Sequence, residues 1–167
     1  MRFKLELNKR KTSGIYFLLS KVSSLCIDND AFDWEPTTIF VKAQFIECSA
    51  SSSGGALSGS GDWSLILKFC EFLYCWSNGN TGAVEKSGGL FFMECCNFEL
   101  CHGNGVDTNY AGHAFTSIDS DASWSDISLF ECWDNSGSRT DNAFGIKDGS
   151  AVVTLINDSH CISTGGG

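Results

Sequence analysis

Apolar positions along this chain come in short β-rich stretches, such as Ile66-Leu67-Lys68-Phe69 and Leu90-Phe91-Phe92-Met93, each bounded by clusters of Gly, Ser and Asn. Such stretches between turn-forming residues predict β-strands, whose successive side chains point to opposite faces. No apolar recurrence at i, i+3, i+4 and i+7 is sustained, and glycine occurs throughout, so helices are not expected.

The stretches repeat. Cys48, Cys75, Cys101, Cys132 and Cys161 lie 27, 26, 31 and 29 residues apart. Three of them end an aromatic-x-x-Cys unit, at Phe45–Cys48, Phe72–Cys75 and Phe98–Cys101; a fourth reads Leu129-Phe130-Glu131-Cys132. Five residues before each Cys stand Ala43, Cys70, Cys96, Ile127 and Ile156, all small or apolar. Three residues after each stand Ser51, Asn78, Asn104, Asn135 and Thr164, all short and able to hydrogen-bond. A small-residue signal follows as Gly54-Gly55-Ala56-Leu57 and Thr81-Gly82-Ala83-Val84, with looser echoes in Gly112-His113-Ala114-Phe115 and Asn142-Ala143-Phe144. Gly165-Gly166-Gly167 falls where another such signal begins, so a solenoid continuing past this point is expected.

A repeat of this length built from strands and turns predicts a parallel β-solenoid, all-β and single-stranded, of about five coils of 26–31 residues. Equivalent residues then stack about 4.8 Å apart as ladders. Phe45, Phe72, Phe98 and Leu129 are predicted to fill the interior, and Cys48, Cys75, Cys101, Cys132 and Cys161 its tight places. Asn78, Asn104 and Asn135 are predicted to satisfy turn backbone groups. The longest loops are expected near 103–111 and 116–124. The solenoid is expected over 21–167, preceded by a basic segment or first strand at 1–20.

The pairing of aromatic-x-x-Cys with a Gly-Gly-Ala-aliphatic signal resembles the repeats of polymorphic outer-membrane proteins, which combine an FxxN motif with GGA-aliphatic. It also resembles related Cys-rich β-helix surface proteins of protists. The resemblance covers roughly residues 38–167 and departs from the bacterial pattern in carrying Cys where FxxN has Asn. It implies a right-handed parallel β-helix and a surface or adhesin role.

Composition narrows the partners. The chain has 167 residues, one domain's worth, and a formal charge of −9. Residues 1–14 hold five basic side chains and one acid, leaving −13 for the remainder, a poor balance for binding nucleic acid. No apolar run approaches the roughly 20 residues of a transmembrane helix. The apolar stretch 14–19 after the basic start is too short for a secretory signal, so a first strand or a cap is expected there.

Candidate chemistry is sparse. Nine cysteines leave at least one unpaired, and no zinc-type Cys/His spacing occurs. Stacked thiols acting as small hydrophobes are expected, with some disulfides the alternative. Asp119, Asp121 and Asp126, with Asp107 upstream, form the best acidic cluster, read as a solvated loop with weak potential for calcium. Gly59-Ser60-Gly61-Asp62 is a single copy of a calcium-turn fragment and reads as a turn. His102, His113 and His160 adjoin no nucleophile in a catalytic pattern. No metal, cofactor or catalytic residue is expected. Trp76 and Trp133 each follow a coil cysteine, with His102 at that place between them, so a Trp–His–Trp column is predicted on one outer face, able to stack sugars or mark a protein contact.

These features favour a non-catalytic surface or adhesion-type interaction protein with a protein or glycan ligand. A carbohydrate-active enzyme of pectate-lyase-like architecture and an intracellular structural solenoid are the alternatives. Fold alone does not choose among them.

Overall fold

The computed structural model describes residues 15–18, 36–104, 112–134 and 142–159. Among these the chain is all β, without a helix, and its strands stack in parallel register as a solenoid of about four turns. Strand β1 (Ile15–Leu18) precedes the turns and pairs with β2. Turn one comprises β2 (Thr37–Val41), β3 (Gln44–Ile46), β4 (Ser49–Ala50) and β5 (Leu57–Ser60). Turn two repeats it with β6 (Ser64–Lys68), β7 (Glu71–Leu73), β8 (Trp76–Ser77) and β9 (Val84–Ser87). Turn three holds β10 (Leu90–Glu94), β11 (Asn97–Glu99), β12 (His102–Gly103) and the start of β13 (Gly112–Phe130). The rest of β13, β14 (Trp133–Asp134) and the start of β15 (Asn142–Ser159) make turn four.

Stacking yields four faces. The first is β1-β2-β6-β10 continued by residues 121–125 and 150–154. The second is β3-β7-β11 continued by 128–130 and 157–159. The third is β4-β8-β12-β14. The fourth is β5-β9 continued by 115–118 and 144–147. About five coils are expected from the cysteine spacing, against about four turns here; the fifth marker, Cys161, lies outside the described residues.

The corners explain the spacing of inward residues. Within a strand, buried positions alternate, as at Leu65 and Leu67; the next buried residues are Cys70, Phe72 and Cys75. Each step of three contains one residue with positive φ. The first corner is turned by Lys42, Phe69, Cys95, Asp126 and Leu155, the second by Glu47, Tyr74, Leu100 and Glu131, at φ between 47° and 56°. These residues keep the ladder intact: Lys42 N donates to Lys68 O, Phe69 N to Glu94 O and Tyr74 N to Glu99 O, all at 2.9 Å.

The interior is laddered by residue type. Phe45, Phe72 and Phe98 are fully buried and stacked, with centroids 4.7 and 4.6 Å apart and planes within 2° and 6° of parallel. Leu129 continues the column in register with Phe98. Ala56, Ala83, Ala114 and Ala143 are all buried in a column of their own. Its first members are joined by Ala56 N to Ala83 O and Ala83 N to Ala114 O, both 2.9 Å. A Cβ on Gly55 would lie 2.2 Å from Trp76 O and 2.4 Å from Gly82 O, so the Gly of this signal is a steric requirement.

Cysteine occupies the place just after a corner. Cys75 Sγ donates to Phe45 O at 3.4 Å, Cys101 Sγ to Phe72 O at 3.4 Å and Cys132 Sγ to Phe98 O at 3.7 Å, each reaching back one turn. Cys70, Cys75, Cys95, Cys96, Cys101 and Cys132 carry reduced thiols, whereas Cys48 is disulfide-bonded. Burial pushes the Cys101 thiol well up, and contact with Cys70 followed by burial does the same to Cys96, so both stay protonated.

Two expectations are corrected. Residues 116–124 are not a loop but part of β13, bent at Asp119 (φ 49°). Their Ser-rich composition reads as a loop, yet Ser120 is buried with Oγ 2.9 Å from Ile118 O and 3.1 Å from Gly88 O, bridging adjacent turns. The side chains of Asn78 and Asn104 are not what satisfies the turn backbone: Asn78 is exposed, and buried Oδ1 of Asn104 makes no hydrogen bond among the described residues. Their backbones carry the ladder, Asn78 N donating to Ala50 O and Asn104 N to Ser77 O. Ser77 does the turn's side-chain work, with Oγ 2.7 Å from Thr81 O and 3.1 Å from Gly79 O. Asn135 and most of 103–111 lie outside the described residues.

Candidate interaction surface

The second corner places one residue outward just before the left-handed position and another just after the buried cysteine. Ile46, Leu73, Glu99 and Phe130 occupy the former column, and Ser49, Trp76 and His102 the latter. Between them project the corner residues Glu47, Tyr74, Leu100 and Glu131. The result is a ridge along the solenoid, with Tyr74 50% and Phe130 36% exposed.

Trp76 and His102 of the predicted Trp–His–Trp column lie on this ridge. His102 pairs in register with Trp76 on one side and with Trp133 on the other. The Trp76 and His102 rings are 6.3 Å apart and 11° from parallel. Half-burial holds the His102 imidazole below its ordinary range, opposed by the Leu100 backbone and Cys132, which favours the neutral ring. The backbone places Trp133 on the next rung; its side chain lies outside the described set.

The weak metal candidates do not converge. Asp119 turns a corner, Asp121 faces outward and accepts a hydrogen bond from Ser150 Oγ at 2.7 Å, and Asp126 turns the first corner. The extended run 121–125 separates Asp126 from Asp121 by roughly 16 Å of strand. No three His, Cys, Asp or Glu side chains among the described residues are grouped to hold an ion. Gly59-Ser60-Gly61-Asp62 closes β5 with Gly61 at φ 115°, as a turn. The side chain of His113, together with Asp107, His160 and Cys161, lies outside the described set.

Two features escaped sequence reasoning. The first is the contribution of Tyr74 and Leu100 to the ridge; their shared place immediately before a coil cysteine is the signal that would have exposed it. The second is Lys86, fully buried, whose Nζ donates to Gly61 O and Ser87 O at 2.9 Å and to Gly88 O, and lies 4.2 Å from the Trp63 ring centroid. Burial lowers its pKa to about 8, with Asp62 pulling the other way. The alternation from Val84 through Glu85 predicts an inward Lys86, had the charge not argued against it.

No family model, curated protein or solved structure matches this chain. No helix among the described residues is long and apolar enough to cross a membrane.

Proposed function

We propose that the chain is a non-catalytic, adhesion-type interaction protein that binds its partner along the outer ridge of the second corner. The observation carrying this reading is the outward Trp76–His102 ring stack, held on adjacent rungs of a hydrogen-bonded ladder. Aromatic side chains fixed on a rigid scaffold present area for binding at little cost in conformational entropy. The repeat resemblance supplies the surface role, and a protein or glycan is the class of partner.

The test is titration of the purified chain with neutral oligosaccharides and short peptides, following the fluorescence difference between wild type and Trp76→Phe. Saturable binding that Trp76→Ala weakens is the expected result. Release of unsaturated products from polygalacturonate would instead favour a lyase. Binding indifferent to both Trp76→Ala and His102→Ala would remove the ridge from the function.

A further inference from the structure

The ridge combines apolar area with charge of a single sign. Glu47, Glu71, Glu99 and Glu131 lie on its columns or immediately beside them, among Leu73, Tyr74, Trp76, Leu100 and Phe130. The cationic side chains of the described residues are Lys42, Lys68, Lys86 and Lys147, and none is on the ridge. Lys42 turns the first corner, Lys68 pairs with Glu94 at 2.8 Å on the first face, Lys86 is buried and Lys147 lies on the fourth face. Among the described residues the charges around these aromatic side chains are acidic, which is complementary to a partner that is itself basic.

One place on the ridge is shaped for a guanidinium. His102 covers Trp76 from turn three, whereas the register neighbour on the turn-one side is Ser49, too short to cover the ring. Glu47 stands two residues from Ser49 at the same corner, and half-exposed Tyr74 adjoins Trp76. A planar cation over the indole face would therefore have a carboxylate beside it. That combination suits arginine better than lysine, because arginine stacks and pairs at once. Two rungs span about 9.6 Å, and three residues of an extended or polyproline-like segment cover about 9–10 Å. Basic side chains at every third position thus keep step with alternate turns.

We propose that the ridge takes a basic, arginine-bearing protein segment laid along the solenoid axis, with one guanidinium stacked on Trp76 beside Glu47. This rests on the interaction reading above and names its partner class. The probe is a labelled peptide of about twelve residues with Arg at every third position among Ser and Pro, beside its Lys and Glu counterparts, followed by fluorescence anisotropy. The Arg peptide is expected to bind saturably, the Lys peptide several-fold more weakly, and the Glu peptide not at all. Trp76→Ala and Glu47→Gln should each weaken the Arg peptide about three- to tenfold, while Lys42→Gln leaves it unchanged. Glu47→Gln is an exposed, near-isosteric change, so the result does not depend on Trp76→Ala folding. Failure of the Arg peptide to bind, or binding unmoved by both variants, overturns the proposal. If it fails while a neutral oligosaccharide still titrates Trp76, the basic partner falls and the interaction reading stands; if no probe reports through Trp76, both fall.

Discussion

Lys86 is the residue whose setting departs most from its chemistry. Three carbonyls and an indole face surround the ammonium, yet desolvation outweighs them and the pKa falls to about 8. The unfolded chain holds this proton up to about pH 10.4, so between about 8 and 10.4 it binds more protons than the folded one. Stability from this group therefore rises with pH across that window, by on the order of 2–3 kcal/mol. The raised thiols of Cys96 and Cys101 act oppositely, because they ionise first in the unfolded chain. The Lys86 contribution is thus isolated by comparing urea midpoints of wild type and Lys86→Met from pH 7 to 10.5. Wild type should gain on the variant as pH rises; parallel curves would place the amine in water. A second residue-scale prediction concerns Lys42, exposed at φ 55°. Left-handed backbone costs a non-glycine residue about 1–2 kcal/mol. After the entropy glycine loses on folding, Lys42→Gly should stabilise by up to about 1 kcal/mol, whereas Lys42→Val should destabilise by at least as much. Thermal unfolding of the pair reads both signs.

At the scale of strands, the Phe column is the principal internal prop. Phe72 is stacked on both sides, so Phe72→Ala opens a void that rigid rungs above and below cannot close, at about 3–5 kcal/mol by chemical denaturation. A loss under about 1 kcal/mol would mean the column does not carry the fold. This ladder was legible because Phe45, Phe72 and Phe98 share one chemistry at one distance from a cysteine, and a position buried on every turn must stay apolar. The Ala column was legible for the same reason, down to its weak echoes at Ala114 and Ala143. The corners were not. Lys, Phe, Cys, Asp and Leu turn the first corner and Glu, Tyr and Leu the second, and these have no side-chain property in common. What they share is a backbone conformation normally announced by Gly or Asn, imposed here by the ladder bonds of neighbouring turns. Tyr74 and Leu100, and with them most of the ridge, were hidden for that reason. Of its described side chains Trp76 and His102 were visible, through their fixed place after the cysteine.

For the whole molecule, each turn is supported chiefly by its neighbours, and among the described residues the last strand, β15, has a partner on one side. Residues 150–159 of β15 pair only with β13 among the described residues, and Val152 and Leu155 are 66% and 74% exposed. The inward-register residue Val153, which follows fully packed Trp124 in its column, is itself 37% exposed. A β-edge with apolar side chains on show is a template for pairing with another chain, and charge on the edge is the usual remedy. Val152→Lys should therefore reduce self-association of this 167-residue chain, seen as a shift to smaller species in sedimentation velocity. Its melting temperature should change little, because Val152 faces outward and buries little area. Unchanged association would mean the edge is already covered in solution, and a large fall in melting temperature would mean Val152 packs against something.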